Sequence, residues 1–345
     1  MVPGDLSPRK AAILTALVEQ YIRSGEPVGS EAVASASALG VSSATIRHEL
    51  AALEEMGYLT QPHTSAGRAP TDLAYRYYVN LLPSTPRLRS AERRAIVHFF
   101  DEALANVDEM LRGTTQLLSR LTRYASLALA PSPTETKIAR AELVNLGTTT
   151  LLLVVFETGQ VEKRLLELTG VADNEIEDVS RTVVEAFRGR TLTTARAATR
   201  ERARAATRGE RTILERVGEG LESIGQAGET THIFLGGVAN IAAEEAFERR
   251  ETLRQIYQAL ERESAILRLL REAALTPPVS VMIGHENPLP EMWEASVVVA
   301  PFGAGGGARG TIGVVGPTRM DYIAAIAAVR EVASRLSAAG DAATT

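Results

Sequence analysis

From Ile13 to Ile22 the apolar side chains Ile13, Leu14, Leu17, Val18, Tyr21 and Ile22 recur at the spacing of one helix face. Ser7-Pro8 opens this run with an N-cap acceptor and a first-turn proline, and Ser24-Gly25 closes it. "EPVGS" is a turn; Ser30 caps a short second helix in "EAVASASAL", which Gly40 breaks. Ser42 caps a third, whose Ile46, Leu50 and Leu53 form one buried stripe. Gly57 stops it, "YLTQP" has strand character, "HTSAGR" is a turn, and Pro70 limits any second strand. Helix, helix, turn, helix and hairpin together predict a winged helix-turn-helix over residues 1–82.

Beyond it "YRYYVNLL" stays helical and "PSTPRLRS" is a proline-broken linker. Ser90 caps a long amphipathic run in which Phe100, Leu104, Val107, Leu111, Thr114, Leu118, Leu121 and Ala125 alternate at steps of four and three. That heptad fits either a coiled-coil seam or a helix lying across a sheet; Thr114 and Ala125 are poor seam residues and favour the sheet. "KIARAELVNLGTTTLLLVVFETGQVEKRLLEL" reads as three strands turning at Asn145-Leu146-Gly147 and Thr158-Gly159. Its central segment, 149–156, is apolar from Leu151 to Phe156, as expected of a strand covered on both faces. Three more strands, "VSVMIG", "ASVVVAPF" and "GTIGVVG", precede a closing amphipathic helix carrying Ile323, Ile326, Val329 and Val332. Strands at 137–168 and 279–316 with mostly helical sequence between them predict one α/β domain (83–173 and 277–345) interrupted by an insertion (174–276). The fold class expected is therefore α+β and multidomain.

At 345 residues the chain exceeds one ordinary core, and 45% hydrophobic with 23% charged residues is a globular composition. "TTTLLLVVF" falls far short of a membrane span and "MVPGDLSPRK" lacks a signal-peptide layout, so a cytoplasmic location without a membrane partner is expected. The absence of cysteine removes disulfide and thiolate chemistry. Net charge is −5, and the first 82 residues carry six cations (Arg9, Lys10, Arg23, Arg47, Arg68, Arg76) against eight carboxylates. Any nucleic-acid contact there must come from placement of a few cations rather than from a basic module.

Those placements are legible. Ser43, Thr45, Arg47 and His48 fall at the exposed start of the third helix, which in helix-turn-helix proteins meets base edges in the major groove. Arg47 suits guanine or phosphate, and Ser43 and Thr45 suit phosphate or base contacts. His63 and Ser65 in the following loop, and Arg68 on its glycine-adjacent tip, complete the DNA-binding set, with Arg68 directed to a minor groove. The competing reading is a three-helix scaffold in which Arg47 is merely solvated, because winged helices also mediate protein contacts. His48 and His63 lack partnering cysteines or an acidic cluster, so no metal site is expected. "FGAGGGARG" leads into a strand rather than through Gly-Lys-Ser/Thr into a helix, and no Gly-x-Ser-x-Gly elbow occurs; no cofactor and no catalysis are expected. Nine arginines between Arg188 and Arg216 offer either a phosphate surface or, as favoured here, a solvated helix face. Arg319 and Tyr322 in "GPTRMDY" fit an interdomain or subunit interface, or a cap on the last helix.

"YIRSGEPVGS", "SSATIRHELAALEEMGYLTQPHTSAGRAPTD" and "YRYYVN" at one end, with "IGHEN" and "GTIGVVGPTRMDY" at the other, closely resemble the HrcA family of heat-inducible transcription repressors. His48 stands where that family usually has asparagine, and Leu73-Ala74 where it commonly has Lys-Gly. The resemblance implies a homodimeric repressor bound to a CIRCE-type inverted-repeat operator upstream of chaperone operons and kept active by the chaperonin GroEL. It also implies that the α/β domain is GAF-like and that the mainly helical insertion dimerises. The alternative is a metabolite-sensing regulator using the GAF-like domain as a ligand pocket.

Overall fold

The computed structural model describes residues 6–343 except 37–39, 63–66, 84, 102–106, 135, 148, 229–232, 244–249, 263–264, 268, 271–277 and 304–308. Helix α1 (Pro8–Ser24) starts where Ser7 Oγ accepts from the Lys10 amide, and ends at Gly25, whose φ of 73° closes the last turn on the Tyr21 carbonyl. A short α2 (Ser30–Ala36) leads to α3 (Ser43–Glu55). Ile13, Leu14, Leu17 and Val18 of α1 meet Val33 of α2 and Ile46, Leu50 and Leu53 of α3 in one buried cluster. The wing is a minimal antiparallel pair, β1 (Leu59–Thr60) against β2 (Ala69–Pro70), and Pro70 stands opposite Leu59 within it. Helix α4 (Asp72–Leu81) completes the module.

Helices α5 (Ser90–Asp101) and α6 (Val107–Thr122) follow. The predicted heptad stops short of Ala125, because Ala125–Leu129 is strand β3. A five-stranded antiparallel sheet runs β7-β3-β10-β9-β8, where β7 is Ile233–Gly236, β8 Ser280–Ile283, β9 Ala295–Gly303 and β10 Arg309–Pro317. Alternate residues point to opposite faces. Ala128, Val298, Ala300, Phe302, Ile312 and Val314 pack with α5, α6 and the closing helix, Tyr322–Ala343. Leu127, Val297, Val299 and Val315 pack on the other side against Ile256, Ala259 and Leu260. Both faces are covered, which is why β9 and β10 read as unbroken apolar runs although the sheet is antiparallel. Thr114 and Thr115 of α6 are buried, and α6 lies on the sheet. The glycine-rich string joins a hairpin: Gly303 pairs with Arg309 across it, and 304–308 lie outside the described residues.

The strands at 137–168 do not join this sheet, contrary to expectation. β4 (Ile138–Asn145), β5 (Thr150–Phe156) and β6 (Val161–Leu166) form a separate three-stranded sheet, order β4-β5-β6. It is covered by α7 (Asp173–Phe187), α8 (Leu192–Ala205) and α9 (Arg208–Gly228), with a core of its own. The unit interrupting the five-stranded body therefore runs from β4 to α9. The proposed 174–276 boundaries split its sheet from its helices and assigned β7 to it; β7 pairs with β3. Strand β5 is also buried on one face only: Leu152, Val154 and Phe156 are inside, and Leu151, Leu153 and Val155 are half-exposed. Uniform apolarity misled because the outer face of this small sheet is itself apolar.

Candidate nucleic-acid interface

The start of α3 is built by a cap. Ser42 Oγ accepts from the Thr45 amide at 3.2 Å and lies 3.0 Å from Thr45 Oγ1, so the Thr45 hydroxyl is partly engaged at the N-cap. Ser43 is half-buried beside it, and Arg47 and His48 are exposed on the outer face. Beneath them Ile46 and Leu50 anchor the helix in the core. From α1, Lys10 Nζ reaches Glu49 Oε2 at 2.7 Å and Arg9 lies 3.8 Å from the same carboxylate. The Lys10 hydrogen bond, above all, holds the Glu49 carboxyl below its ordinary range. The helix is thus clamped from behind while its front stays open.

The cations of the module sort sharply. Arg9 and Lys10 face Glu49, Arg23 faces Glu19, Arg68 faces Glu54 and Arg76 faces Glu286. Among the described residues Arg47 alone of the six makes no ion pair. Its guanidinium is free to exchange water for an acceptor on a partner.

Arg68 is not on a free tip. Its amide and carbonyl pair with those of Val28 at 3.0 and 2.9 Å, and its Nε donates to Glu54 Oε2 at 2.9 Å. It ties the root of the wing to the turn after α1 and to the end of α3, with its guanidinium held by Glu54. Gly67 makes that crossing possible, since a Cβ there would overlap the Val28 backbone. His63 and Ser65 lie outside the described residues.

A second constellation, not foreseen from residue pattern, docks this module onto the body. At the start of α4, Asp72 Oδ2 accepts from the His285 amide at 3.0 Å and lies 2.8 Å from His285 Nδ1. One turn on, Arg76 grips the Glu286 carboxylate and donates to the Val281 carbonyl of edge strand β8 at 2.5 Å. The receiving loop turns at Gly284, φ 51°, where a Cβ would collide with the Asp72 carboxylate. Asn287 Nδ2 pins the loop through the carbonyls of Gly284, Met292 and Ala295. The Arg319 guanidinium lies on the α1-closing turn, 2.6 Å from where a Cβ of Gly25 would stand. Tyr322 is fully buried, its hydroxyl shared with Ser296 Oγ and the Thr318 carbonyl and its ring 5.9 Å from that of Tyr75 on α4. Both residues face the winged helix of their own chain. The i, i+4 pair Asp72 and Arg76 was the available signal, but its partners lie over 200 residues away in sequence.

Residues 5–81 match the family model described as a winged helix-turn-helix transcription repressor, HrcA DNA-binding, and residues 108–326 match the HrcA protein C-terminal domain. The chain belongs to the HrcA family. It is 42% identical over 331 residues to the heat-inducible transcription repressor HrcA of Thermobifida fusca (strain YX), covering 95% of each chain. Against that of Nocardia farcinica (strain IFM 10152) it is 39% identical over 328 residues, 94% of each. A crystal structure described as that of a hypothetical protein shares the HrcA fold seen here, with a TM-score of 0.68 at 24% identity, covering 98% of this chain and 100% of that one. The α1–α4 module is accordingly the DNA-binding domain of a heat-inducible transcription repressor of the HrcA family. No helix among the described residues is long and apolar enough to cross a membrane.

Proposed function

We propose that two copies of this chain occupy an inverted-repeat operator upstream of chaperone operons, each placing α3 in the major groove of one half-site, so that occupancy blocks the promoter. The observation that carries this is Arg47: exposed, on the open face of a capped and clamped helix, and without a carboxylate partner among the described residues. Ser43 and His48 stand beside it for phosphate or base contacts, and the helix N-terminus favours phosphate. Two-fold symmetry of the operator calls for two-fold symmetry of the protein. An open face on the β4-β5-β6 sheet supports pairing: Leu151, Leu153 and Val155 lie half-exposed across its centre, and Leu165 and Val161 are 66% and 55% exposed on its edge strand. Maintenance by the chaperonin rests on kinship with the family.

Footprinting the purified chain on its own upstream DNA tests the operator. Two protected half-sites related by a dyad are expected; uniform or absent protection refutes the reading. For the chaperonin, the chain is heated and cooled with and without GroEL, and operator occupancy is measured. Better recovery with GroEL is expected, and equal recovery discards that part.

A further inference from the structure

The DNA-binding module has a deficit that α3 does not make good. Sequence-independent affinity for DNA comes from several cations neutralising phosphates, and one unpaired arginine in a module of net charge −2 falls well short. The missing charge sits next door. Helices α5 and α6 form an antiparallel hairpin: Phe99 closes over Gly113, where a Cβ would stand 2.8 Å from its ring, and Ala95 and His98 share a groove with Leu117, Arg120 and Leu121. This arrangement brings the start of α5 level with the end of α6. Arg87, Arg93 and Arg94 from one side and Arg120 and Arg123 from the other are all exposed there, and none makes an ion pair among the described residues. Arg89 alone in this group is neutralised, by Glu92.

On α5 the placement is not what helix stability would select. Arg93 and Arg94 stand near the positive N-terminal end of α5, where cations are unfavourable. Carboxylates collect at the far end of the hairpin, Asp101 on α5 and Asp108 and Glu109 in the first turn of α6, where they suit the helix dipole as Arg120 does in its last turn. The arginines of α8 and α9, by contrast, interleave with Glu215, Glu219 and Glu222 along one groove, as a solvated face does. The basic end also adjoins the DNA-binding module. Leu88 packs into the cluster that holds α1–α4, and Asp321 lies within electrostatic reach of both Arg89 and Tyr78 of α4.

We propose that the arginine-bearing end of the α5–α6 hairpin is a second DNA-contact surface, which binds the phosphodiester backbone without sequence preference and adjoins the module that carries α3. The inference rests on the operator-binding reading above. Its test is fluorescence anisotropy with the full chain on two labelled duplexes of equal length, one carrying the footprinted operator and one scrambled, over a range of salt. The variants are Arg93→Ala/Arg94→Ala, the charge-preserving Arg93→Lys/Arg94→Lys, and Arg47→Ala. The alanine pair should weaken both duplexes equally and lower the slope of log affinity against log salt by about 2, with an unchanged melting temperature. The lysine pair should restore the slope, and Arg47→Ala should abolish the difference between duplexes. An alanine pair with wild-type slope overturns the hairpin surface while leaving operator recognition standing. Wild-type protein that does not distinguish the duplexes overturns the operator reading itself.

Discussion

A single side chain carries the recognition claim, and its neighbours explain why it is free. Arg47 is available because Glu49, two residues on, faces the other side of α3, where Lys10 and Arg9 hold it. Arg47→Ala is expected to cost about 1–3 kcal/mol of specific binding, read by gel shift as lost operator preference with the fold intact. Glu49 itself makes a different prediction. Its carboxyl is depressed in the folded state, chiefly by the Lys10 hydrogen bond. The contribution is therefore present above the unfolded pKa of about 4.3 and lost as pH falls through the lower folded value. Glu49→Gln should destabilise the chain by about 1–2 kcal/mol at neutral pH, with the two melting curves converging in acid. A constant gap at all pH values would show that the ion pair is not responsible. Arg68 shows the reverse case: its side chain is held by Glu54 and its backbone by Val28, so it also ties the wing to the helices.

At the scale of elements, the decisive contact is α4 on the loop after β8. Gly284 permits it twice over, by its φ of 51° and by leaving space for Asp72. Gly284→Ala should cost about 1–3 kcal/mol and loosen the dock. Trp293, the sole tryptophan, stacks on His285 at 4.8 Å between centroids, so its emission reports the change directly. Wild-type emission in a folded variant would contradict the dock as described. The same junction is expected to lose stability in alkali. Burial pushes Tyr78 up to about 12, and burial raises Tyr75 and Tyr322 as well. Each folded-state pKa lies above its unfolded value, so stability is complete below about pH 10 and falls as pH rises beyond it. Trp293 emission and the melting temperature should shift together across that range. Tyr322→Phe should flatten the melting profile in part.

Over the whole molecule, sequence suggests three domains, whereas packing yields a different partition. The winged helix shares one continuous cluster with α5, α6, the closing helix and one face of the five-stranded sheet. The β4–α9 unit keeps a core apart. Cores that share few contacts unfold independently. Leu152→Ala, in a side chain packed against Gly220 of α9, should lower one calorimetric transition by the equivalent of about 2–5 kcal/mol and leave the other in place. Movement of both transitions together would mean that the two cores are one cooperative unit. DNA binding measured below either transition should survive this change, because Arg47 lies in the other core's territory.

Local pattern alone determined the elements of the winged helix, the cap at Ser42, the buried stripe of α3 and the exposed position of Arg47. All of these depend on helical period and capping within a few residues. Local pattern also indicated the strands at 280–317, of which β9 and β10 are buried on both faces, and the closing helix through its periodic apolar face. Tertiary structure decided what pairs across distance. It excluded β4–β6 from the main sheet, recruited the short strands β3 and β7, and paired Arg68 with Glu54. It also joined Asp72 and Arg76 to His285 and Glu286. The physical reason is common to all of them: an apolar face or a charge specifies that it must be covered or neutralised, and not by which distant segment.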